Sequence, residues 1–210
     1  MNENVKPIEL LVEEHTVILL ALQGLLGLAA QAEAADGADS MDVTVASKAI
    51  EFIVEFADRH HHGKEEKLLF NLMEQRGFAR TSGPLAVMYH EHETGRALVR
   101  SMATSLDKIA SKTDYEAELA KFADNARQFA QLLSAHIQKE NQILYPMAQK
   151  YLTSDDMGEL EKMFSAFETE AAKTGVQETY YELGNRLGSL APACGSGDES
   201  GCEGCGSYCG

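Results

Sequence analysis

Two segments of the chain each place a glutamate four residues after a histidine. His61 and Glu65 have this spacing in HHGKEEKLLF, and His136 and Glu140 have it in HIQKENQILYP. Residues four apart lie about 40° apart around an α-helix and one turn along it, so the imidazole and the carboxylate point the same way. Each pair could therefore present a nitrogen and an oxygen ligand to one metal ion.

The apolar stripes of four long segments each carry one histidine, and two of them also carry a glutamate. A single histidine on an apolar stripe is more often a hydrogen-bonded core residue than a ligand. The joint pattern favours a metal site, because all four segments show it. The candidate ligands on these stripes are His15, His61, Glu65, His92, His136 and Glu140.

Two glutamates on buried stripes require positive charge. An ionised carboxylate alone in an apolar core costs several kilocalories per mole or takes up a proton. No lysine or arginine lies on these stripes near Glu65 and Glu140. Metal ions would supply the charge, and bridging carboxylates with terminal imidazoles suit a pair of iron or manganese ions inside a helix bundle.

The other histidines are predicted to lie outside the ligand set. His62 has Glu66 four residues later, but Glu51, Glu55 and Asp58 continue that stripe, which predicts a solvated face.

His60 and His90 also lie off the apolar stripes, and we expect them to be outer or surface groups. His90, two residues before His92, could line an access path.

The elements that position these residues are predicted to be helices throughout, because little of the sequence alternates apolar and polar residues as a strand does. Thr113 and Glu116 form a predicted capping box, and Pro146 is predicted to kink the fourth helix near its end. The predicted helices run from about Pro7 to Ala35, Met41 to Arg76, Pro84 to Ser111, Thr113 to Tyr151, Ser154 to just before Gly175, and Val176 to Leu187.

These elements predict an all-α fold with an up-down-up-down four-helix bundle over residues 1–152. One or two additional C-terminal helices would occupy 153–190, packing outside the bundle or mediating self-association as a homodimer. Residues 191–210 are predicted to form an irregular tail rich in Gly, Ser and Cys.

The composition narrows the classes of partner. The chain has 210 residues, 18 Lys and Arg, 33 Asp and Glu and a net charge of −15, which excludes a nucleic-acid binder because phosphates would be repelled. The opening MNENVKPIEL is polar where a secretion signal is apolar. The most apolar stretch, 17–30, is shorter than the roughly 20 residues that a bilayer requires. We expect a cytoplasmic protein without a membrane span.

The cysteines are confined to the tail. In a cytoplasmic chain, a C-x2-C pair is typical of metal or redox chemistry rather than of structural disulfides. Four thiolates could hold a second metal ion, zinc or iron, or an iron-sulfur cluster. A redox pair and a tail without a defined role are the alternatives. The four residues are Cys194, Cys202, Cys205 and Cys209.

Four segments resemble, in the right order, those of hemerythrin-like, HHE cation-binding proteins. EEHTVILLAL resembles the first-helix segment, HHGKEEKLLF and HIQKENQILYP the two His-x-x-x-Glu segments, and YHEHETGR the third-helix segment, over about residues 8–150. The resemblance implies a four-helix bundle that holds two iron ions, bridged by an oxo or hydroxo group and by both carboxylates. It assigns the ligand roles to His15, His61, Glu65, His92, His136 and Glu140.

One departure from the family pattern bears on function. Oxygen-carrying members have a second histidine on the third helix, but Met88 and Arg96 stand four residues before and after His92. The chain is therefore more similar to the four-His, two-Glu variety, as in the iron-sulfur cluster repair proteins that respond to nitric oxide. Fewer nitrogen ligands leave an open coordination position, which favours reactivity over reversible oxygen carriage. Asn71 also replaces the proline that commonly follows Leu-Phe in the first motif.

The sequence thus predicts a non-haem di-iron protein that binds or reacts with oxygen, peroxide or nitric oxide, in stress response or iron handling, with an unidentified electron donor. The alternative is a non-enzymatic module for oxygen or iron sensing or storage. A third interpretation is a bundle in which metal only staples the helices. Whether turnover occurs, and whether the metal is iron, stay open at this point.

Overall fold

The computed structural model describes residues 6–34, 41–173 and 176–190, and of 176–178 it describes the backbone alone. The predictions for the tail at 191–210, including its four cysteines, lie outside the described residues.

The described residues form six helices and no strand, which confirms the predicted all-α fold. Helix α1 is Pro7–Glu33, α3 is Gly83–Ala110, α5 is Ser154–Ala172 and α6 is Val176–Gly188. Helix α2, 43–75, runs through Val43–Phe52, Ile53–His62, Glu65–Leu69 and Phe70–Gln75. Helix α4, 115–151, runs through Tyr115–Lys139, Glu140–Leu144 and Tyr145–Tyr151.

Both helices that carry a His-x-x-x-Glu pair depart from α-helical geometry at that pair. Ile53–His62 and Glu65–Leu69 in α2, and Glu140–Leu144 in α4, are π-helical. Their backbone hydrogen bonds span five residues instead of four, which widens the turn. The π-helical stretch of α4 directly precedes the segment that contains Pro146, and the helix continues to Tyr151.

Side-chain caps start two of the helices. The Asp42 carboxylate accepts hydrogen bonds from the backbone N–H groups of Thr44 and Val45, at 2.8 and 3.2 Å. Thr153 and Asp156 form a reciprocal capping box at the start of α5. Such caps satisfy N–H groups that have no partner within the helix.

The capping box predicted at Thr113 and Glu116 is wrong. Helix α4 begins after Asp114, which has a left-handed φ of 48° and makes no side-chain capping bond. Lys112 is left-handed too, with a φ of 55°. This tight connection turns the Thr113 hydroxyl toward that of Ser111, 3.1 Å away, and not toward the first turn of the helix.

The four long helices are arranged as a square, in which α1 and α3 each contact α2 and α4. Buried apolar residues form two clusters, one toward each end of the bundle. On α1 neither cluster has a buried member between Leu11 and Val17, and on α3 neither has one between Met88 and Val99. The predicted ligands occupy these interruptions, so they form a polar layer across the bundle.

The two C-terminal helices pack outside this square. Helix α6 lies mainly against α1 and also contacts α2 and α5. Two glycines permit the close approach, because a Cβ at Gly24 would overlap the carbonyl oxygen of Leu187 and one at Gly184 would overlap the Val17 side chain.

Helix α1 is long and apolar enough, by length and composition, to cross a membrane. However, 61% of its most apolar window is buried inside the protein, as in the core helix of a bundle. Its contacts with α2, α4 and α6 account for this apolar surface.

Candidate metal centre

The structure brings the six predicted ligands together in the polar layer, and all six are buried. Together with His62, which is not among the predicted ligands, they form two groups, and within each group the nitrogen and oxygen atoms lie within 4.8 Å of one another. Glu65 belongs to both groups, as a bridging carboxylate would. One group is His15, His61, Glu65 and Glu140, and the other is His62, Glu65, His92 and His136.

Glu140 also connects the two groups. Its Oε2 lies 3.2 Å from His15 Nε2, and its Oε1 lies 3.1 Å from His136 Nε2. Glu65 Oε2 lies 3.7 Å from His61 Nε2 and 3.6 Å from His92 Nε2. Each carboxylate therefore faces imidazoles of both groups.

The imidazoles of His92 and His136 converge on one point. Their Nε2 atoms are 2.9 Å apart. Two nitrogens bound at about 2.1 Å to one ion, at a right angle, would be about 3 Å apart. The spacing of this pair therefore fits adjacent ligands of a single ion.

Each imidazole in the two groups turns its Nδ1 outward to a side-chain oxygen. A carboxylate or amide oxygen accepts, so the Nδ1–H of each imidazole donates to it, and each Nε2 faces the centre. Outer partners of this kind orient the histidine ligands of metal sites. The pairs are His15 with Asn141 at 3.0 Å, His61 with Glu14 at 2.8 Å, His62 with Asp58 at 3.3 Å, His92 with Glu66 at 2.7 Å, and His136 with Glu91 at 2.9 Å.

Several inward-facing atoms lack a hydrogen-bond partner among the described residues. They are Nε2 of His61, Oε2 of Glu65 and both carboxylate oxygens of Glu140. Buried polar atoms without partners are costly and rare. A cation between the two carboxylates would satisfy all of them, so the donor set fits metal ions on this chain's own geometry.

The lowered pKa values of three histidines favour the binding of cations. Burial lowers the pKa of His61 to about 3, and burial also lowers those of His62 and His92. These imidazoles are therefore neutral near pH 7, which is the form that binds metal.

The two carboxylates behave differently from each other in the metal-free protein. Burial and then the charge of Glu140 raise the pKa of Glu65 well above its ordinary value. Burial opposes ionisation of Glu140 too, but the neighbouring His136 holds its pKa well below the usual range. Against its own burial, Glu140 raises the pKa of His136 to about 9. In the metal-free protein, protons on Glu65 and His136 thus balance the negative charge that metal ions would balance when bound.

Tyr145 fixes one of the shared carboxylates. Its buried hydroxyl donates to Oε1 of Glu65 at 2.7 Å, and its ring stacks on His15 at a centroid distance of 5.6 Å. Burial raises the pKa of this phenol well above its ordinary value, so it remains a donor. The bond leaves Oε2 of Glu65 directed at the imidazoles.

A cavity of about 230 Å³ opens onto one side of the centre only. It reaches His62, His92 and His136, whereas His15 and His61 are not among its lining residues. Most of the wall is apolar, with side chains such as Val99 and Phe129. We call the position beside His92 and His136 the cavity-side position, and the position beside His15 and His61, which this cavity does not reach, the closed position.

The expectation that His62 faces solvent is wrong, since only 6% of it is exposed and its ring stacks on His92 at 3.8 Å. The π-helical turns explain the error, because they shift the residues after Ile53 away from the regular period on which the solvated stripe of Glu51, Glu55 and Asp58 was based. His60 is buried as well, whereas His90 is exposed as predicted.

A second buried cluster was missed entirely. Lys64 is fully buried, and its ammonium donates to Glu14, to Glu168 at 2.5 Å and to Nε2 of His60 at 3.1 Å. Three of these residues could also face a cation, but the Lys64 ammonium already occupies the space between the oxygens. Only the fold brings Glu168, on α5, to this place.

Comparison with known proteins agrees with the geometry. A family model described as the Hemerythrin HHE cation binding domain matches residues 6–148. An iron-sulfur cluster repair protein YtfE from Edwardsiella ictaluri is 32% identical over 88 residues, and one from an Enterobacter species is 27% identical over 88 residues. Each alignment covers 42% of this chain, and the chain spans 40% of the length of each relative.

Proposed function

This chain belongs to the hemerythrin family of HHE cation-binding domains, and on that premise we propose that it holds two iron ions and reacts with a small oxidant at the cavity-side position. The observation that carries the proposal is the sharing of Glu65 between two groups of buried ligand atoms. A carboxylate shared in this way is suited to bridging two ions in a bundle core.

The six residues predicted from the sequence would hold the ions. His15 and His61 would bind at the closed position, and His92 and His136 at the cavity-side position. Glu65 and Glu140 would bridge, because each faces imidazoles of both groups. Imidazole and carboxylate ligands without thiolates favour iron or manganese.

The cavity indicates on which side of the centre the proposed reaction occurs and which class of substrate can reach it. Its mostly apolar wall suits dioxygen, nitric oxide or a neutral peroxide, although Asp58, Glu91 and three arginines also line it. When bound, a pair of ferrous ions supplies an open coordination position and the two electrons that convert one hydrogen peroxide and two protons to two waters. The protein's own part is to orient the imidazoles through their Nδ1 partners and to hold Glu65 through Tyr145.

The biological setting is proposed from the relatives. Two of them are described as iron-sulfur cluster repair proteins. We extend from them a role in oxidative or nitrosative stress or in iron handling, in the cytoplasm, with a separate electron donor. A sensing or storage module that binds oxygen or iron without turnover is the non-enzymatic alternative.

The test is metal analysis of anaerobically purified protein together with its visible spectrum before and after one oxidant at a time. Two irons per chain and an oxidant-dependent charge-transfer band would support the proposal, and a colourless zinc protein would contradict it. Repeated cycles with a chemical reductant would separate turnover from single binding. His90→Gln provides a matched control, because His90 is exposed and away from the ligand groups.

A further inference from the structure

We propose that His62 is a fifth imidazole ligand, bound to the metal ion at the cavity-side position. This inference rests on the proposed function, because it concerns one of the two ions. The ligand set then has five histidines instead of four. Three of them bind the cavity-side ion and two bind the ion at the closed position.

The location of His62 is that of a ligand. It is 6% exposed, and its ring lies parallel to that of His92, with centroids 3.8 Å apart and planes 17° apart. Its ring edge faces His136 at a centroid distance of 5.8 Å. One of its nitrogens lies within 4.8 Å of the ligand atoms of Glu65, His92 and His136.

The orientation of His62 matches that of the other four imidazoles. Its Nδ1–H donates to Asp58 at 3.3 Å, so Nε2 carries the lone pair. Asp58 is in turn held by the guanidinium of Arg96 at 2.8 Å. A carboxylate that orients a ligand histidine, and is itself held in place, is typical of metal sites.

His60 provides a contrast within the same run of three histidines. Its Nε2 lies beside Glu14, Glu168 and the Lys64 ammonium, at 3.2, 3.3 and 3.1 Å. That nitrogen therefore belongs to the second buried cluster and does not face the metal centre. Burial alone does not distinguish His60 from His62, but the direction of the ring does.

Arg96 has a specific place in this arrangement. Arg96 stands four residues after His92, where oxygen-carrying members of the family can have a second histidine on the third helix. Here its guanidinium supports Asp58, and through Asp58 it supports His62 on α2. The imidazole that is absent from α3 is thus supplied by the neighbouring helix.

The consequence concerns the number of open positions. With His92, His136 and the two shared carboxylates alone, a six-coordinate ion would keep two positions open. Binding of His62 leaves one, and His62 also lines the cavity beside it. The cavity-side ion would then keep one position, for a bridging oxo or hydroxo group or for one monodentate ligand such as nitric oxide or an end-on peroxide, and none for a chelating ligand.

The experiment counts bound imidazoles by proton NMR of the full chain reconstituted anaerobically with ferrous iron. Each iron-bound histidine gives one solvent-exchangeable Nδ1–H resonance displaced by the paramagnetic ion. We expect five in the wild type, four in His62→Gln, and five in both His60→Gln and His90→Gln. Circular dichroism would establish that His62→Gln is folded.

A second variant tests the orientation without removing the ligand. Asp58→Asn should keep five resonances, shift one of them, and weaken iron binding at one of the two positions by about tenfold, the effect expected for an outer partner. Four resonances in the wild type, or an unchanged count in folded His62→Gln, would overturn the inference and leave the di-iron centre standing. Failure of the wild type to bind iron would instead overturn the proposed function.

Discussion

His61 and Glu14 join the metal centre to a second buried cluster. The Nδ1–H of His61 donates to Oε2 of Glu14 at 2.8 Å, while Oε1 of the same carboxylate accepts from the Lys64 ammonium. The orientation of one predicted ligand therefore depends on a buried ion pair. Helix α5 completes that pair through Glu168, so an element outside the bundle is connected to a ligand by three successive contacts.

Replacing Lys64 by Met should strongly destabilise the protein. The substitution leaves Glu14 buried without its cation, and breaking a buried pair in this way costs about 3–5 kcal/mol. Urea unfolding of the metal-free protein would measure the loss. Lys67→Met, at an exposed position three residues away, should change the free energy of unfolding by less than about 0.5 kcal/mol. Equal stability of the two variants would contradict the importance of the pair.

Replacing Glu140 by Gln should remove most of the bound iron. An amide cannot bridge two cations as a carboxylate does, and both oxygens of Glu140 face imidazoles of different groups. We expect iron affinity to fall by roughly 100-fold or more. The measurement is iron content after dialysis, with Glu116→Gln at an exposed site as the control. A Glu140→Gln protein that retains two irons would show that this residue does not bridge.

Replacing Gly95 by Leu should slow the reaction with oxidant without lowering the iron content. Gly95 lines the cavity, and a Cβ there would lie in contact with the Phe129 ring at 3.4 Å, so a larger side chain must extend into the open space. A tenfold slower reaction corresponds to about 1.4 kcal/mol on the barrier. Stopped-flow kinetics would measure the rate, with Gly158→Leu as a control in open space on α5. Unchanged kinetics in an iron-loaded Gly95→Leu protein would exclude the cavity as the access route.

The contribution of Asp156 to stability should depend on pH. The Arg76 guanidinium beside Asp156 holds the pKa of that carboxyl below its ordinary value of 3.8. A lowered pKa in the folded state means stability that is present above the unfolded value and lost as the pH falls toward the folded one. The difference in unfolding free energy between wild type and Asp156→Asn should therefore be largest above about pH 5 and should narrow toward about pH 2. Urea titrations at both pH values would measure this difference, with exposed Asp155→Asn as the reference. If the ion pair contributes nothing, the difference in unfolding free energy will be the same at both pH values.

Much of this architecture can be predicted from apolar periodicity. The stripes of the four long helices predict the bundle, and they select His15, His92 and the two His-x-x-x-Glu pairs, which the fold brings together. The resemblance to the hemerythrin-like family is confirmed by the family match over residues 6–148. In regular helices, a period of 3.6 residues is a reliable guide to the buried face.

The errors arise where that period fails. The sequence predicts a solvated face for His62 because residue types do not reveal the π-helical turns of α2. The burial of Lys64 depends on Glu14 and Glu168, which lie 50 and 104 residues away along the chain. A pattern within one helix contains no information about such partners.

The polar layer has a consequence for how the protein unfolds. It separates two apolar clusters, and each cluster draws side chains from all four long helices. Helix α5 joins the smaller cluster and α6 the larger one. Without cations, the two ends can open as separate cooperative units, each with its own protection against amide hydrogen exchange. Ions held by residues of all four helices at the junction would couple the two ends into a single unit.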